Sequence, residues 1–100
     1  MSALQRYARL LSSLPNTTVP NPRQPVLVAL TEELGAPTGL SIDLNSFLDW
    51  AAQSQKLSPS TLWKLRETFA AWDQSRPTRH QVAETLQWLN EALANGLASN

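Results

Sequence analysis

Apolar side chains recur along this chain at spacings of three and four residues, the period that predicts amphipathic helices. One such stripe follows two start signals. Ser58 is of a type that caps helices. Pro59 suits the first helical position, because an N–H there has no partner within the helix and its absence in proline therefore costs no hydrogen bond. The apolar positions of this stripe are Leu62, Leu65, Phe69 and Trp72. The pattern predicts a helix across residues 57–73.

The first part of the chain predicts a helix followed by a connector. Residues 2–14 open with Ser2 and Gln5 at the spacing of a capping box, and Pro15 should end the helix. Its predicted apolar face consists of Leu4, Tyr7, Leu11 and Leu14. Three prolines within residues 15–24 predict an extended connector.

Residues 25–34 form a short apolar segment that also favours a helix. Val26 and Val28 would suit a strand, but the leucines of the segment have helical spacing. Gly35 is a typical residue just beyond a helix end. A helix is therefore the prediction for this segment.

Residues 43–55 predict the next helix. Asp43 is a candidate cap, and Ile42 before it is placed to contact Phe47 as a hydrophobic staple. The predicted buried positions are Leu44, Phe47, Leu48 and Ala51.

The last predicted helix spans residues 78–95. Thr78 and Gln81 have capping-box spacing, and Gly96 is a suitable stop. Its apolar positions are Val82, Leu86, Leu89 and Leu93. Together these elements predict an all-α fold, a compact bundle of four to five helices around one core. We expect residues 1–100 to form a single domain.

Composition agrees with a folded chain and limits the classes of partner. Hydrophobic residues make up 42% of the 100 residues and charged residues 16%. The formal net charge is zero, whereas nucleic-acid binders are typically basic. Basic side chains nevertheless concentrate in residues 1–23 and 56–80, and acidic ones in residues 24–55 and 81–100.

Candidate chemistry is sparse. The chain has no cysteine, and His80 is its single histidine, which we interpret as a surface residue near a helix cap. No phosphate loop, carboxylate pair or nucleophile motif occurs. We therefore expect no enzyme activity, no metal or other cofactor and no small-molecule substrate. No apolar run is long enough for a membrane span and no signal pattern opens the chain, so we expect a cytoplasmic location.

The four tryptophans suggest a binding surface. Trp72 lies on an apolar stripe, whereas Trp50, Trp63 and Trp88 lie beside the centres of theirs. One interpretation is that these three fill the margins of a small core. The other is that they anchor a partner, because exposed aromatic residues near arginine are typical of protein interfaces.

Residues 47–72 carry a family resemblance. A helix there ends in a few polar residues and is followed by Leu-Ser-Pro-x-Thr at the start of a second helix. The matching positions are Leu57, Ser58, Pro59, Thr61, the basic Lys64 and the closing aromatic Trp72. In this pattern the chain resembles the N-terminal core-binding domain of tyrosine recombinases, the phage integrases and their relatives. The resemblance extends over about residues 44–99.

The resemblance implies that the second helix faces DNA. The hydroxyls of Ser58, Ser60 and Thr61 would then contact phosphates at the helix start, and Lys64 and Arg66 would supply positive charge. The catalytic residues of the family belong to a second domain that has no counterpart here, so the resemblance implies no strand cleavage.

Two functions therefore fit the sequence. The chain is expected to be a small, non-catalytic helical binding module. Its partner is either DNA, bound in the manner of a recombinase core-binding domain, or a protein, a second copy of the chain included. Zero net charge and the tryptophans beside the stripes favour the protein partner.

Overall fold

Five helices account for most of the residues that the structure describes. The computed structural model describes residues 2–15, 17–37, 39–40 and 43–95. The helices are α1 (Ala3–Ser12), α2 (Arg23–Leu34), α3 (Leu44–Gln53), α4 (Pro59–Gln74) and α5 (Arg79–Asn95). Within the described residues there is no strand, only a single antiparallel β-bridge between Thr18 and Thr78. The predicted all-α fold is confirmed. The predicted stop at Gly96 and the contact of Ile42 lie outside the described residues.

Both predicted capping boxes form. The Ser2 hydroxyl accepts a hydrogen bond from the Gln5 N–H at 3.1 Å, and the Gln5 side chain accepts one from the Ser2 N–H. Thr78 and Gln81 make the same reciprocal pair at the start of α5, at 3.2 and 2.8 Å. Each box pairs backbone donors that would otherwise have no partner within the helix.

The second helix begins two residues earlier than predicted, at Arg23. Pro25 therefore lies inside its first turn, where a missing N–H removes no hydrogen bond within the helix. Gly35 ends the helix as expected, with φ of 68° in the left-handed region. Because α1 also ends two residues early, at Ser12, the connector spans residues 13–22 and is as long as the predicted 15–24.

All five helices contribute side chains to the core. Its largest fully buried side chains include Phe47 from α3 and Phe69 from α4. Helix α1 packs against α2 and α5, and α4 contacts α3 and α5. The predicted buried positions that lie within the core are Leu4, Leu11, Leu27, Leu30, Phe47, Leu48, Ala51, Leu65, Phe69, Val82, Leu86 and Leu89.

Several predicted core positions are less buried than expected. Leu14 is 44% exposed, because α1 ends at Ser12 and no longer directs it toward the core. Tyr7 is half-buried. Burial raises the pKa of the Tyr7 phenol above its ordinary value of 10.0. The other half-buried members of the predicted stripes are Leu34, Leu44, Leu62, Trp72 and Leu93.

The proline-rich connector packs against the start of α5. Val19 is buried, and its N–H donates to the Pro77 carbonyl at 2.8 Å. The Arg79 N–H donates to the Thr17 carbonyl at 3.0 Å. These bonds flank the Thr18–Thr78 bridge, so the connector is held by backbone hydrogen bonds along its middle. Among the described helices, none has both the length and the hydrophobicity required to cross a membrane.

Candidate interaction surface on the fourth helix

Helix α4 is oriented by its cap and by its buried face. The Ser58 hydroxyl accepts from the Thr61 N–H at 3.2 Å, and Pro59 occupies the first turn. Leu65 and Phe69 are fully buried on one side of the helix. Because successive side chains are about 100° apart around a helix axis, burial of these two residues directs the opposite side outward.

The outward side presents a tryptophan. Trp63 is 65% exposed, whereas no other tryptophan among the described residues is exposed to a comparable extent. We define the outer face of α4 as the exposed residues Trp63, Arg66, Glu67, Ala70 and Gln74. A shallow depression of about 360 Å³ lies beside Ala70 and is also lined by Glu67 and Gln74.

The other two candidate anchors pack against the core. Trp50 is half-buried, with its ring 6.3 Å from that of Phe47. Trp88 is also half-buried and lies on α5. Trp50 and Trp88 therefore fill the margin of the core, whereas Trp63 projects from it and stays a candidate partner anchor.

The candidate phosphate contacts gather at the start of α4. The Ser58 hydroxyl lies 3.2 Å from that of Ser60 and 2.9 Å from that of Thr61. The three hydroxyls therefore form one cluster, in which Ser58 is engaged with both neighbours and with the helix backbone. Ser60 is exposed, and Thr61 is half-buried.

The two candidate basic residues point to different sides of α4. Lys64 and Arg66 are two positions apart, which separates their directions by about 200° around the axis. The Lys64 ammonium lies toward α5, 4.5 Å from the centre of the Trp88 ring. Arg66 belongs to the outer face instead. A single partner that lies along one side of α4 therefore cannot contact Lys64 and Arg66 equally.

The outer face carries one positive and one negative side chain, Arg66 and Glu67, and neither belongs to an ion pair among the described residues. The ion pairs among the described residues are Arg6–Glu32 at 2.6 Å, Arg23–Asp73 at 3.0 Å and His80–Glu84 at 2.9 Å. His80 is exposed in the first turn of α5, as the sequence suggested.

A groove between α4 and α5 was not predicted. It has a volume of about 490 Å³ and is lined on one side by Lys64 and Trp72 and on the other by Glu84 and Trp88. The sequence placed both indoles near apolar stripes, but the groove depends on how far apart the two helices lie. That distance depends on tertiary packing. The apolar spacing within each segment predicts a helix but not its distance from another helix.

Comparisons with protein-family models, with curated proteins and with solved structures find no match to this chain. The resemblance of residues 44–99 to a recombinase core-binding domain therefore stays a prediction. Within the described residues, no group of three or more histidine, aspartate or glutamate side chains is placed to hold a metal ion.

Proposed function

We propose that this chain is a non-catalytic protein-interaction module that binds its partner through the outer face of α4. The observation that supports this proposal is the exposure of Trp63, 65% of which faces water on a helix whose other large apolar side chains are at least half-buried. Tryptophan and arginine are the residues most enriched at the energetic centres of protein interfaces. Arg66 lies one turn from Trp63 on the same face.

Trp63 can supply a large part of a binding energy. Covering the exposed part of an indole removes on the order of 100 Å² of apolar surface from water, worth about 3 kcal/mol. That exceeds the roughly 2 kcal/mol that defines a hot spot. Ala70 lies two turns further along the same face, and its small side chain leaves room there for a partner side chain.

The charge of the outer face also favours a protein partner. Arg66 and Glu67 offset each other, and Asp73 at the edge of the face is paired with Arg23. A polyanion such as DNA gains little from a surface whose charges cancel, because its affinity depends on neutralising phosphates. A protein with mixed charges can satisfy both signs.

Affinity capture with the purified chain tests the proposal. A partner recovered by the wild-type chain should bind the Trp63→Ala variant at least about 30-fold more weakly, the equivalent of 2 kcal/mol. Leu10→Ala is the matched control, because Leu10 is equally exposed, at 66%, but belongs to α1. Equal binding by both variants in calorimetry with the identified partner would exclude Trp63 as the anchor.

DNA binding is the second candidate, and a different surface supports it. The Ser58, Ser60 and Thr61 hydroxyls cluster at the start of α4, where the helix dipole favours anions, and Lys64 follows one turn later. A duplex bound there, in the manner of a recombinase core-binding domain, would contact Lys64 and leave Arg66 free.

Fluorescence anisotropy with labelled duplex DNA tests this second candidate. Lys64→Gln should weaken binding and reduce the salt dependence by roughly one unit of slope, whereas Arg66→Gln should change neither. Circular dichroism of both variants checks that the helices persist. Absence of binding at low salt would rule out this candidate, and equal losses in both variants would rule out the assigned surface.

A further inference from the structure

We infer that the outer face of α4 binds a second copy of this chain, with the two α4 helices parallel and related by a two-fold axis. This inference rests on the proposed function, because it uses the same face and names the partner. Four side chains lie at the centre of this face: Trp63, Arg66, Glu67 and Ala70.

These four residues form a pattern with a central line and two charged flanks. Trp63 and Ala70 are seven positions apart, close to two full turns, so they lie one above the other along the middle of the face. Arg66 and Glu67 lie halfway between them along the axis. They diverge from the central line by about 50° to either side, because adjacent residues are about 100° apart.

A parallel two-fold pair makes this pattern self-complementary. An axis parallel to α4 brings each flank of one helix beside the opposite flank of its copy, as in parallel coiled coils. Arg66 of each chain would then lie beside Glu67 of the other, giving two ion pairs. Both residues are exposed and take part in no ion pair within the described part of their own chain.

An antiparallel pair lacks this complementarity. Its two-fold axis is perpendicular to the helices and brings each flank beside the same flank of the copy. Arg66 would lie beside Arg66 and Glu67 beside Glu67, and like charges in such positions oppose association. The signs of these two side chains therefore select the parallel arrangement.

The central line suits the same arrangement. In a parallel pair Trp63 meets Trp63, and two indoles in contact gain both apolar burial and a favourable ring interaction. Two turns further on Ala70 meets Ala70, where small side chains allow the helices to approach closely. The depression beside Ala70 is open to solvent, so no described part of the chain already covers this end of the face.

The size of the face sets the expected affinity. Helix α4 has 16 residues and is therefore about 24 Å long. One face of such a helix buries less than the roughly 1,600 Å² of a standard interface, so the dimer should dissociate in the micromolar range or above. Association should be visible only at high protein concentration.

Sedimentation velocity over about 10 µM to 1 mM tests the dimer. The wild-type chain should shift with concentration from the 11.1 kDa monomer toward twice that mass. Trp63→Ala, Arg66→Glu and Glu67→Arg should each weaken association at least about tenfold, the last two by creating two like-charge contacts. An equimolar mixture of Arg66→Glu and Glu67→Arg should associate again, because both contacts in the mixed dimer then join opposite charges.

Asp49→Lys is the matched control, since Asp49 is an exposed acid on α3 and its reversal should leave association unchanged. Circular dichroism confirms that each variant keeps its helices. A wild-type chain that stays monomeric at 1 mM, or a dimer insensitive to both charge reversals, would overturn the inference. Neither result affects capture of a different protein through Trp63, so the inference and the proposed function fail separately.

Discussion

The ammonium nitrogen of Lys64 lies 4.5 Å from the centre of the Trp88 ring. The contact joins α4 to α5 across the mouth of the groove between them. A cation over the face of an indole is attracted by the quadrupole of the neutral ring, whose face is partially negative, and such contacts at exposed sites are worth about 0.5–1 kcal/mol. Lys64 is therefore a structural residue as well as a candidate for binding phosphate.

Replacing Lys64 with methionine should lower the free energy of unfolding by about 0.5–1 kcal/mol. Methionine retains much of the apolar stem, so the loss reports mainly the charge. Arg66→Met, on the outer face of the same helix, should change stability by less than about 0.5 kcal/mol. Urea unfolding of both variants gives the comparison, and a Lys64→Met effect that persists in a Trp88→Leu background would show that the ring is not its partner.

The Ser58 cap should stabilise α4 far more than the neighbouring hydroxyl of Ser60. Ser58→Ala should cost about 1 kcal/mol, because the Thr61 N–H loses its acceptor. Ser60→Ala should cost little, since its hydroxyl only bonds that of Ser58. Thermal unfolding of the two variants tests this difference, and equal losses would mean that the cap does not depend on Ser58.

Truncation of Phe69 should lower the free energy of unfolding far more than truncation of Trp63, although both are large apolar residues of α4. Phe69 is fully buried, so Phe69→Ala should destabilise the fold by about 3–5 kcal/mol through lost burial and the cavity left behind. Trp63→Ala should change the unfolding free energy by less than about 0.5 kcal/mol. A large loss of stability in Trp63→Ala would assign Trp63 to the core rather than to an interface.

Gln55→Gly should stabilise the chain. Gln55 has φ of 55° and lies two residues past the end of α3. Its N–H donates to the Ala52 carbonyl, and the Lys56 N–H donates to the Ala51 carbonyl. That is a Schellman ending, whose left-handed position favours glycine by about 1 kcal/mol. Ser54→Gly, at a right-handed position next to it, should not stabilise. Chemical unfolding of the two variants separates these outcomes.

Stability should fall as the pH rises above 10 partly because of Tyr7. Burial raises the pKa of its phenol in the folded chain, so the unfolded chain releases the Tyr7 proton first. Well below pH 10 the phenol is protonated in both states and Tyr7 has no effect. Above pH 10 the unfolded state is increasingly favoured, and the loss of stability levels off once the folded phenol also ionises. Unfolding at pH 8 and 11 should show a smaller alkaline loss for Tyr7→Phe than for the wild-type chain.

The fold was largely predictable, because each helix carries its own periodicity and caps. Ser2, Asp43, Ser58 and Thr78 all begin helices, and in each case the cap acts within a few residues of sequence. The ending of α3 was less predictable, since Gln55 is not a typical residue for the left-handed position that its Schellman ending requires.

The candidate site was only partly predictable. Spacing placed Trp63 beside the α4 stripe, but its exposure depends on which neighbours pack nearby. The same spacing could have separated Lys64 from Arg66, because residues two apart point to opposite sides of any helix. The groove beside Trp88 could not be predicted, since it depends on the relative position of two helices.

The Arg79 guanidinium donates hydrogen bonds to the carbonyls of Ser12 and Leu14, at 3.2 and 2.7 Å. These carbonyls lie at the end of α1 and two residues beyond it, and Ser12 and Arg79 are 67 residues apart in sequence. The first turn of α5 has a local cap in Thr78 and Gln81, but it gains these distant partners only after a long loop of chain has closed, which is an entropically costly step. As a result, residues 44–95 alone would lack these two contacts, because both partners of the Arg79 guanidinium lie in the first helix and the connector.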